Sequence, residues 1–383
     1  MEFSDIHQVA LWGFLVAVAF GAVARHARFC TVGAISDWLH FGDTARLRAW
    51  FLAIGVAILG VHVLKLTTPI DFEQSIYLTT SFGWLGHLLG GLLFGIGMTL
   101  ASGCVQRSLV LAGGGNLKSL VVLLVLAVTA YVALHGPLAP VVTGVMEATS
   151  VDLARYGLID QAIPSLAAKL LRVETITWLR GATTLAIGLA FVAFVFSSRA
   201  FRRRPDQIAA GMGIGLFIVA GWYVTGVVGR ADVAPVPLES YTFVAPAADT
   251  LRYLTSYTGS TVGFGMSAVF GMIVGSFLHA LATGGFRIDG FASLHDLLAH
   301  LAGAALMGFG GALALGCTIG QGITGMSTLA LGSLLTLVSI IFGSILTMRV
   351  QYHLLDRRGF WRAARLALAD LRLGPAPRKP KTV

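Results

Sequence analysis

Charge is scarce in this chain. Only 12% of its 383 residues are charged, whereas a soluble domain usually carries about 25%. Hydrophobic residues make up 56%, so most of the protein surface cannot face water. The composition therefore excludes an ordinary soluble domain and predicts a protein embedded in a membrane.

Cysteine is also scarce, and common catalytic motifs are missing. The three cysteines are an odd number, which argues against a complete set of disulfides. No Cys-x-x-Cys pair is present, and Arg25, Arg28 and Arg107 lie near the cysteines, where they would repel a metal cation. The sequence has no P-loop, HExxH or GxSxG motif. We therefore expect no cofactor, no metal site and no enzymatic activity.

Nine apolar segments predict membrane-spanning helices, each of which needs about 20 residues. Asp and Glu are scarce inside these segments, so we expect no proton relay of carboxylates. The sequence thus predicts an all-α polytopic membrane protein, with one transmembrane domain over residues 1–383 and short re-entrant or interfacial helices beside the spans. The segments lie at about 9–24, 49–66, 82–100, 117–136, 179–197, 208–228, 261–281, 297–315 and 329–348.

Arginine sets the expected orientation, because cytoplasmic loops are enriched in Lys and Arg. The connections 25–48 and 199–204 are rich in arginine and are expected in the cytoplasm. With nine spans, the N-terminus is then periplasmic, without a cleavable signal peptide, and the basic tail 349–383 is cytoplasmic. The tail supplies most of the net charge of +9, and we expect it to contact anionic lipid rather than nucleic acid.

Two glycine-rich segments that end in cysteine resemble each other. They are Gly95–Cys104 and Gly308–Cys317, in which three glycines and the cysteine coincide without a gap. The expected orientation makes them antiparallel, as in inverted-topology repeats, whose interface commonly forms a transport site. We therefore expect a first repeat over 9–136, an outer segment and connector span over 137–207, and a second repeat over 208–348. Chance similarity between glycine-rich segments is the alternative.

Two proline-containing stretches are expected outside the spans. Residues 137–178 combine prolines with scattered charges and predict an outer segment, with an interfacial amphipathic helix at about 163–174. Residues 233–246 predict an ordered outer loop or a short re-entrant stretch.

Each cysteine follows a predicted span, where irregular backbone begins. Such backbone is tolerated at membrane depth where it lines a wet cavity, and the N–H groups that open the next helix attract anions. A buried thiol stays protonated, so it can hold a sulfur-bearing anion loosely through S–H, as conduction requires. The alternative for each cysteine is a small apolar filler. The candidate substrate-binding residues are Cys30, Cys104, Cys317, Arg107, Gly103, Gly316, Thr318 and Gln321.

These motifs resemble those of the YeeE/YedE family of bacterial inner-membrane sulfur transporters. The resemblance rests on Gly97–Cys104 followed by Gly113–Leu120, on Arg28–Cys30 near the start and on Gly316–Cys317 near the end. It covers essentially the whole chain. It implies uptake of thiosulfate for cysteine synthesis by an hourglass-shaped helical protein with a positively charged outer cavity.

The resemblance also implies a role for the cysteines. In the family, three cysteines line the narrow centre and pass the anion along by S–H hydrogen bonds. The matching positions are Cys30, Cys104 and Cys317, with Cys104 the most central. Family members often work with a TusA-type sulfur-carrier protein, which here would be a separate chain. Some members are linked to selenium metabolism, so selenium compounds are alternative substrates.

Two other functions stay open at the level of sequence. Cys104 could be a membrane-embedded nucleophile that cleaves thiosulfate and holds a persulfide, with Arg107 as the cation that activates it. Three thiols could instead serve a permease for soft metal ions.

Overall fold

A computed structural model describes residues 5–170, 177–230, 236–256, 261–355 and 359–371 of the protein. Within them, nine helices are long and apolar enough to span a bilayer, as the sequence predicted. The helices are α1 (Asp5–His26), α2 (Thr31–Ser36), α3 (Ala45–Thr67), α4 (Trp84–Leu100), α5 (Val105–Gly113), α6 (Leu117–Leu134), α7 (Ala139–Ala148), α8 (Ile163–Leu170), α9 (Thr177–Phe196), α10 (Arg199–Arg202), α11 (Pro205–Tyr223), α12 (Val244–Thr255), α13 (Phe264–Ala282), α14 (Leu294–Leu313), α15 (Leu331–Leu355) and α16 (Phe360–Asp370).

Short irregular elements interrupt the spans. Strands β1 (Ser81–Gly83) and β2 (Ser150–Asp152) form an antiparallel pair in which Phe82 lies opposite Val151. Two 3₁₀ turns cover Phe72–Gln74 and Leu153–Tyr156, and π-helical turns cover Asp37–Phe41, Val224–Val228 and Gly320–Gly325. Such π turns are frequent at functional sites, and the last of them begins three residues after Cys317.

The centre of the molecule is an antiparallel contact between α4 and α14 that only glycine permits. A Cβ built on Gly97 would lie 2.5 Å from the carbonyl oxygen of Gly303, and one built on Gly303 would lie 2.6 Å from that of Gly97. Gly90 and Gly310 face each other in the same way, because a Cβ built on either one would lie 2.7 Å from the carbonyl oxygen of the other. Small residues let membrane helices approach this closely, which explains part of the high glycine content.

Four other main helix contacts build the bundle around this centre. Helix α1 packs along α13, and α11 packs along α3; α15 packs along α4, and α14 also packs along α6. Helix α9 contacts α3 and α8. It lies largely outside the bundle, because only 11% of its spanning segment Leu179–Phe196 is buried. The described bundle therefore has eight closely packed spans and one peripheral span.

Contacts between connections define two faces of the bundle. On the first, which we call the arginine face, Lys118 pairs with Asp296 at 2.6 Å and Arg204 pairs with Asp43 at 3.1 Å. On the second, the opposite face, the amide of Ile163 donates to the carbonyl of Leu329 at 2.9 Å. Helix α4 runs toward the arginine face and α14 runs toward the opposite face. The turns that contain Cys104 and Cys317 therefore reach the interior from opposite faces.

The stretches predicted outside the spans contain more helix than expected. Residues 137–170 form α7, β2, a 3₁₀ turn and α8 rather than a span, and the predicted interfacial helix is described as far as Leu170. Residues 236–243 are irregular, as expected, but α12 follows them and was not predicted. Residues 171–176 and 231–235, on which these predictions also fall, lie outside the described residues, as do 356–358 and 372–383 of the tail.

Candidate functional site

Cys104 belongs to the buried core of the bundle, with 0% of its surface exposed. It is the N-cap residue of α5, and its side chain makes no capping hydrogen bond. The backbone turns into α5 through Ser102, whose φ of 57° is left-handed although it is not glycine. This turn aims the first N–H groups of α5 at the interior, where they favour negative charge.

Three side chains from the other segments approach the Cys104 thiol. The thiols of Cys30 and Cys317 lie within electrostatic range of it, and the Thr318 hydroxyl lies beside it. Thr318 is fully buried, and its Oγ1 lies beside the Cys104 thiol in a geometry that makes no hydrogen bond within the described structure. Because an unpaired buried hydroxyl is costly, this atom is available to a ligand held at Cys104.

Cys317 is likewise fully buried, at the foot of the turn that follows α14. Its Sγ accepts a hydrogen bond from the amide of Gly320 at 3.4 Å. The Thr242 side chain and the backbone of Phe243, just before α12, also lie beside this thiol. Residue Leu315 has φ of 57°, so the turn into Cys317 repeats the conformation of the turn into Cys104.

Cys30 is the N-cap residue of α2, and its Sγ accepts from the amide of Gly33 at 3.4 Å. It is 3% exposed and lines a cavity on the arginine face. All three cysteines are free thiols. Each therefore lies at the break between a span and a short helical element, as the sequence predicted.

Two further buried donors near the cysteines were not among the sequence candidates. Within the described structure, Nε1 of Trp50 and Nε2 of Gln106 have no hydrogen-bond partner. Gln106 is two residues after Cys104. The Trp50 ring stacks on Phe29, next to Cys30, and lies against Gly322, after Cys317. No sequence signal marks an unpaired donor, because pairing depends on the folded neighbours.

The arginine face contains a cavity of about 900 Å³ that reaches the interior at Cys30. Its basic lining includes Arg46, Arg107, His40 and His295. A second cavity of about 420 Å³ shares Arg107 with Arg25, Arg28, His26 and His279. Both cavities therefore present arginine side chains on the arginine-face side of the Cys30 turn.

The opposite face contains a cavity of about 420 Å³ that reaches Leu315 and Gly316. Its charged lining consists of Glu239, Asp249 and Arg252. This lining differs from the positively charged outer cavity that the family resemblance implies. The cavities on the two faces thus end near Cys30 and Cys317, with Cys104 buried between those residues.

The remaining candidates support the two turns. Gly103 lies against the Arg107 side chain and Gly316 lies against that of Gln321. The Gln321 amide is fully hydrogen-bonded within the protein: Nε2 donates to the carbonyls of Ala314 and Leu315, and Oε1 accepts from Ser333 Oγ at 2.6 Å.

The described residues bring together no group of three His, Cys, Asp or Glu side chains that could hold a metal ion. Of the three thiols, that of Cys30 shares a cavity with Arg46 and Arg107. The polar groups near the Cys104 thiol include the other two thiols, the Thr318 hydroxyl and the amide of Arg107. Such a set can hold an anion by hydrogen bonds without a full positive charge at its centre.

The protein is a helical bundle whose buried polar turns are approached by cavities from both faces. These features define a polytopic membrane protein with a candidate transport site. The sequence matches the sulphur transport family over residues 26–346, and the chain belongs to this family, YeeE/YedE. It is 26% identical over 341 residues to a thiosulfate transporter, TsuA, of Escherichia coli (strain K12), covering 87% of this chain and 92% of that protein. It is 25% identical over 339 residues to TsuA of Spirochaeta thermophila, covering 87% of this chain and 97% of that one.

Proposed function

We propose that this protein takes thiosulfate into the cell by passing it along the thiols of Cys30, Cys104 and Cys317. One observation carries the proposal: Cys104 is buried in electrostatic range of both other thiols, between cavities that end near Cys30 and near Cys317. Two relatives that cover most of the chain are named thiosulfate transporters.

Hydrogen bonds supply the attraction in this mechanism. Thiosulfate has one terminal sulfur and three oxygens, all of which accept hydrogen bonds. We assign the S–H groups to successive positions along the path, and Thr318 Oγ1, Gln106 Nε2 and Trp50 Nε1 to the anion near Cys104. The absence of partners for these three atoms in the described structure supports the assignment. Neutral donors bind the dianion weakly enough to release it, whereas a lysine would retain it.

The basic cavities fit the role of an inner exit. Arg107 lines both of them, so it is placed to attract an anion that leaves Cys30. In this proposal the arginine face is cytoplasmic, the membrane is the bacterial inner membrane, and lipids surround the bundle. Released thiosulfate would pass to a separate TusA-type carrier. The exposed aromatic residues Phe360 and Trp361 of α16, with the arginines, provide a surface for these contacts.

We further propose that the architecture is a pair of inverted repeats around the α4–α14 contact. Adding 213 to the number of Gly97 gives Gly310, and subtracting 213 from the number of Gly303 gives Gly90. This relation therefore turns the contact Gly97–Gly303 into the contact Gly90–Gly310. The packing of α1 on α13 and of α11 on α3 repeats this pairing in helix order, although the spacing between α1 and α11 is not 213. Under the relation between the glycine pairs, α12 matches α2, and Phe243 takes the N-cap position of Cys30. Because the second half has Phe243 at the position that corresponds to Cys30, the two halves together contain three cysteines and not four.

The names of the relatives favour transport over the catalytic alternative. A persulfide-forming cysteine needs a nearby base or cation to generate thiolate. Arg107, the cation in this alternative, lies against Gly103 and lines the two basic cavities, and the relatives are named as transporters. The protein is therefore assigned as a transporter and not as an enzyme.

Reconstitution tests this function. The purified protein in liposomes should take up radiolabelled thiosulfate, and excess unlabelled thiosulfate should compete while sulfate competes poorly, because sulfate lacks the terminal sulfur. Selenite and soft metal ions serve as the comparison substrates. Absence of thiosulfate uptake, with transport of one of these instead, would reassign the protein.

A further inference from the structure

The cavity on the opposite face has a lining that does not suit free admission of an anion. Two carboxyl side chains, Glu239 and Asp249, line it together with one cationic side chain, Arg252. The cavity extends to Gly316, the residue before Cys317. An anion that enters this cavity is therefore exposed to both carboxyl groups close to the Cys317 turn.

The backbone of Glu239 is held by two hydrogen bonds to one side chain. Thr225 Oγ1 donates to the Glu239 carbonyl at 2.6 Å, and the Glu239 amide donates back to Thr225 Oγ1 at 3.3 Å. Among the described residues, the Glu239 carboxyl group makes no hydrogen bond or ion pair. Asp249, in contrast, lies 3.7 Å from Nε2 of His135. Glu239 is therefore the carboxyl group whose charge is least compensated.

Tyr77 links Glu239 to the thiol path. Burial, and then the charges of Cys317 and Glu239, raises the pKa of the Tyr77 phenol above its usual value. The phenol consequently stays neutral and lies within electrostatic range of both the thiol and the carboxyl group. The charge on Glu239 thus acts directly on the space beside Cys317.

Glu239 changes charge in the physiological range. Burial, and then the nearby charge of Asp249, raises the pKa of Glu239 to about 7. The side chain is neutral at lower pH and carries a negative charge at higher pH. The other titratable or charged groups around it are Asp249, Arg252 and Tyr77, with His135 facing Asp249.

We propose that Glu239 controls admission of the thiosulfate dianion to the conduit, because its neutral form lets the anion reach Cys317 and its carboxylate repels the anion. The proposal rests on the thiosulfate function given above. With Glu239 neutral, Arg252 offsets the charge of Asp249 in the cavity. With Glu239 ionised, the lining has a net negative charge, and a cavity of one sign excludes ions of that sign. Uptake is thereby tied to the proton concentration on the opposite face.

The test is the pH dependence of uptake into liposomes with the opposite face outward and the internal pH fixed. For the unaltered protein, the apparent KM for thiosulfate should rise about tenfold between pH 6 and pH 8, as the neutral fraction of Glu239 falls, while the maximal rate changes little. Glu239→Gln should abolish this rise and keep KM low at pH 8. Glu239→Asp, which still titrates, should restore a pH-dependent KM.

The matched control is Glu147→Gln, which removes an exposed carboxylate of α7 outside this cavity. It should keep the KM profile of the unaltered protein. If Glu239→Gln takes up thiosulfate with the same pH dependence of KM as the unaltered protein, the proposal is overturned, while the thiosulfate function stays in place. If Glu239→Gln fails to fold, a KM of the unaltered protein that does not change between pH 6 and pH 8 would overturn it as well. Failure of the unaltered protein to transport thiosulfate at any pH would instead remove the function itself.

Discussion

Ser102 and Leu315 share a left-handed backbone conformation, with φ of 57° at each, although neither is glycine. Each lies two residues before the cysteine that ends its glycine-rich segment, and the two are 213 positions apart. Residues other than glycine seldom adopt this conformation, and such strain persists where the surrounding structure requires it. The shared strain supports the proposed two-fold relation between the halves and links it to the path of the anion.

The glycine contact between α4 and α14 predicts a stability difference. Gly97→Ala should lower the free energy of unfolding by about 1–3 kcal/mol, as overpacking of a close contact does, because its Cβ would lie 2.5 Å from the Gly303 carbonyl oxygen. Thermal unfolding in detergent checks this. Gly144→Ala, on α7 with nothing within 4 Å of the added Cβ, is the control and should not lower the melting temperature. Equal melting temperatures of the two variants would contradict the packing account.

The unpaired hydroxyl of Thr318 predicts a separation of stability from function. Thr318→Val removes a buried hydroxyl that has no partner in the described structure, so stability should stay level or rise by about 1 kcal/mol. Thiosulfate uptake should nevertheless weaken, with KM raised about tenfold, the effect of about 1.4 kcal/mol of lost binding. Melting temperature and uptake kinetics measure the two effects.

Thr324→Val is the comparison, because Thr324 Oγ1 donates to the Tyr241 carbonyl at 2.7 Å. This variant should lose about 1 kcal/mol of stability, since a buried acceptor is left unpaired, while folded protein keeps its KM. A Thr318→Val protein that is destabilised and retains normal KM would show that the hydroxyl has only a structural role.

The chemistry of the thiols predicts that they stay unmodified during transport. After exposure of the protein to thiosulfate, intact mass spectrometry should detect no added sulfur on Cys30, Cys104 or Cys317. Cys104→Ser should keep part of the uptake, since a hydroxyl still donates a hydrogen bond but lacks sulfur nucleophilicity. A persulfide on Cys104 that forms and decays with uptake would favour the catalytic alternative.

The proposed orientation predicts a labelling pattern. The native cysteines are buried, so a membrane-impermeant maleimide should report on an introduced cysteine with little background. Glu147→Cys on the opposite face should react in intact cells, whereas Arg203→Cys on the arginine face should react only after permeabilisation. Both residues are exposed. The reverse pattern would invert the assignment of the faces and the direction of the path.

The sequence predicted the spans well because the length of an apolar run is a local property that the bilayer selects directly. It also located the breaks after the spans, since glycine and cysteine interrupt the runs there. It missed α12, whose residues Val244–Thr255 mix apolar and polar side chains and are too few to span a bilayer. Helix α12 packs against α6 and α13, and no local sequence pattern records such contacts.

The site was less predictable, because hydrogen-bond pairing and cavity lining arise from tertiary contacts. Trp50 and Gln106 are ordinary residues in the sequence, and only the fold leaves their nitrogens unpaired. Glu239 lies in an irregular connection, far in sequence from the cysteines, and gains its role from the cavity it lines. Gln321 was chosen by its distance from Cys317, whereas its amide holds the turn, so we propose that it supports the path without contacting the anion.

The most direct measurement is thiosulfate uptake by Cys104→Ala in liposomes, at protein levels matched by quantitative blotting. The account predicts a melting temperature close to that of the unaltered protein and uptake reduced about tenfold or more, because the middle hydrogen-bond donor of the path is lost. Uptake by the variant that equals that of the unaltered protein would contradict the central claim that the anion passes along the thiols.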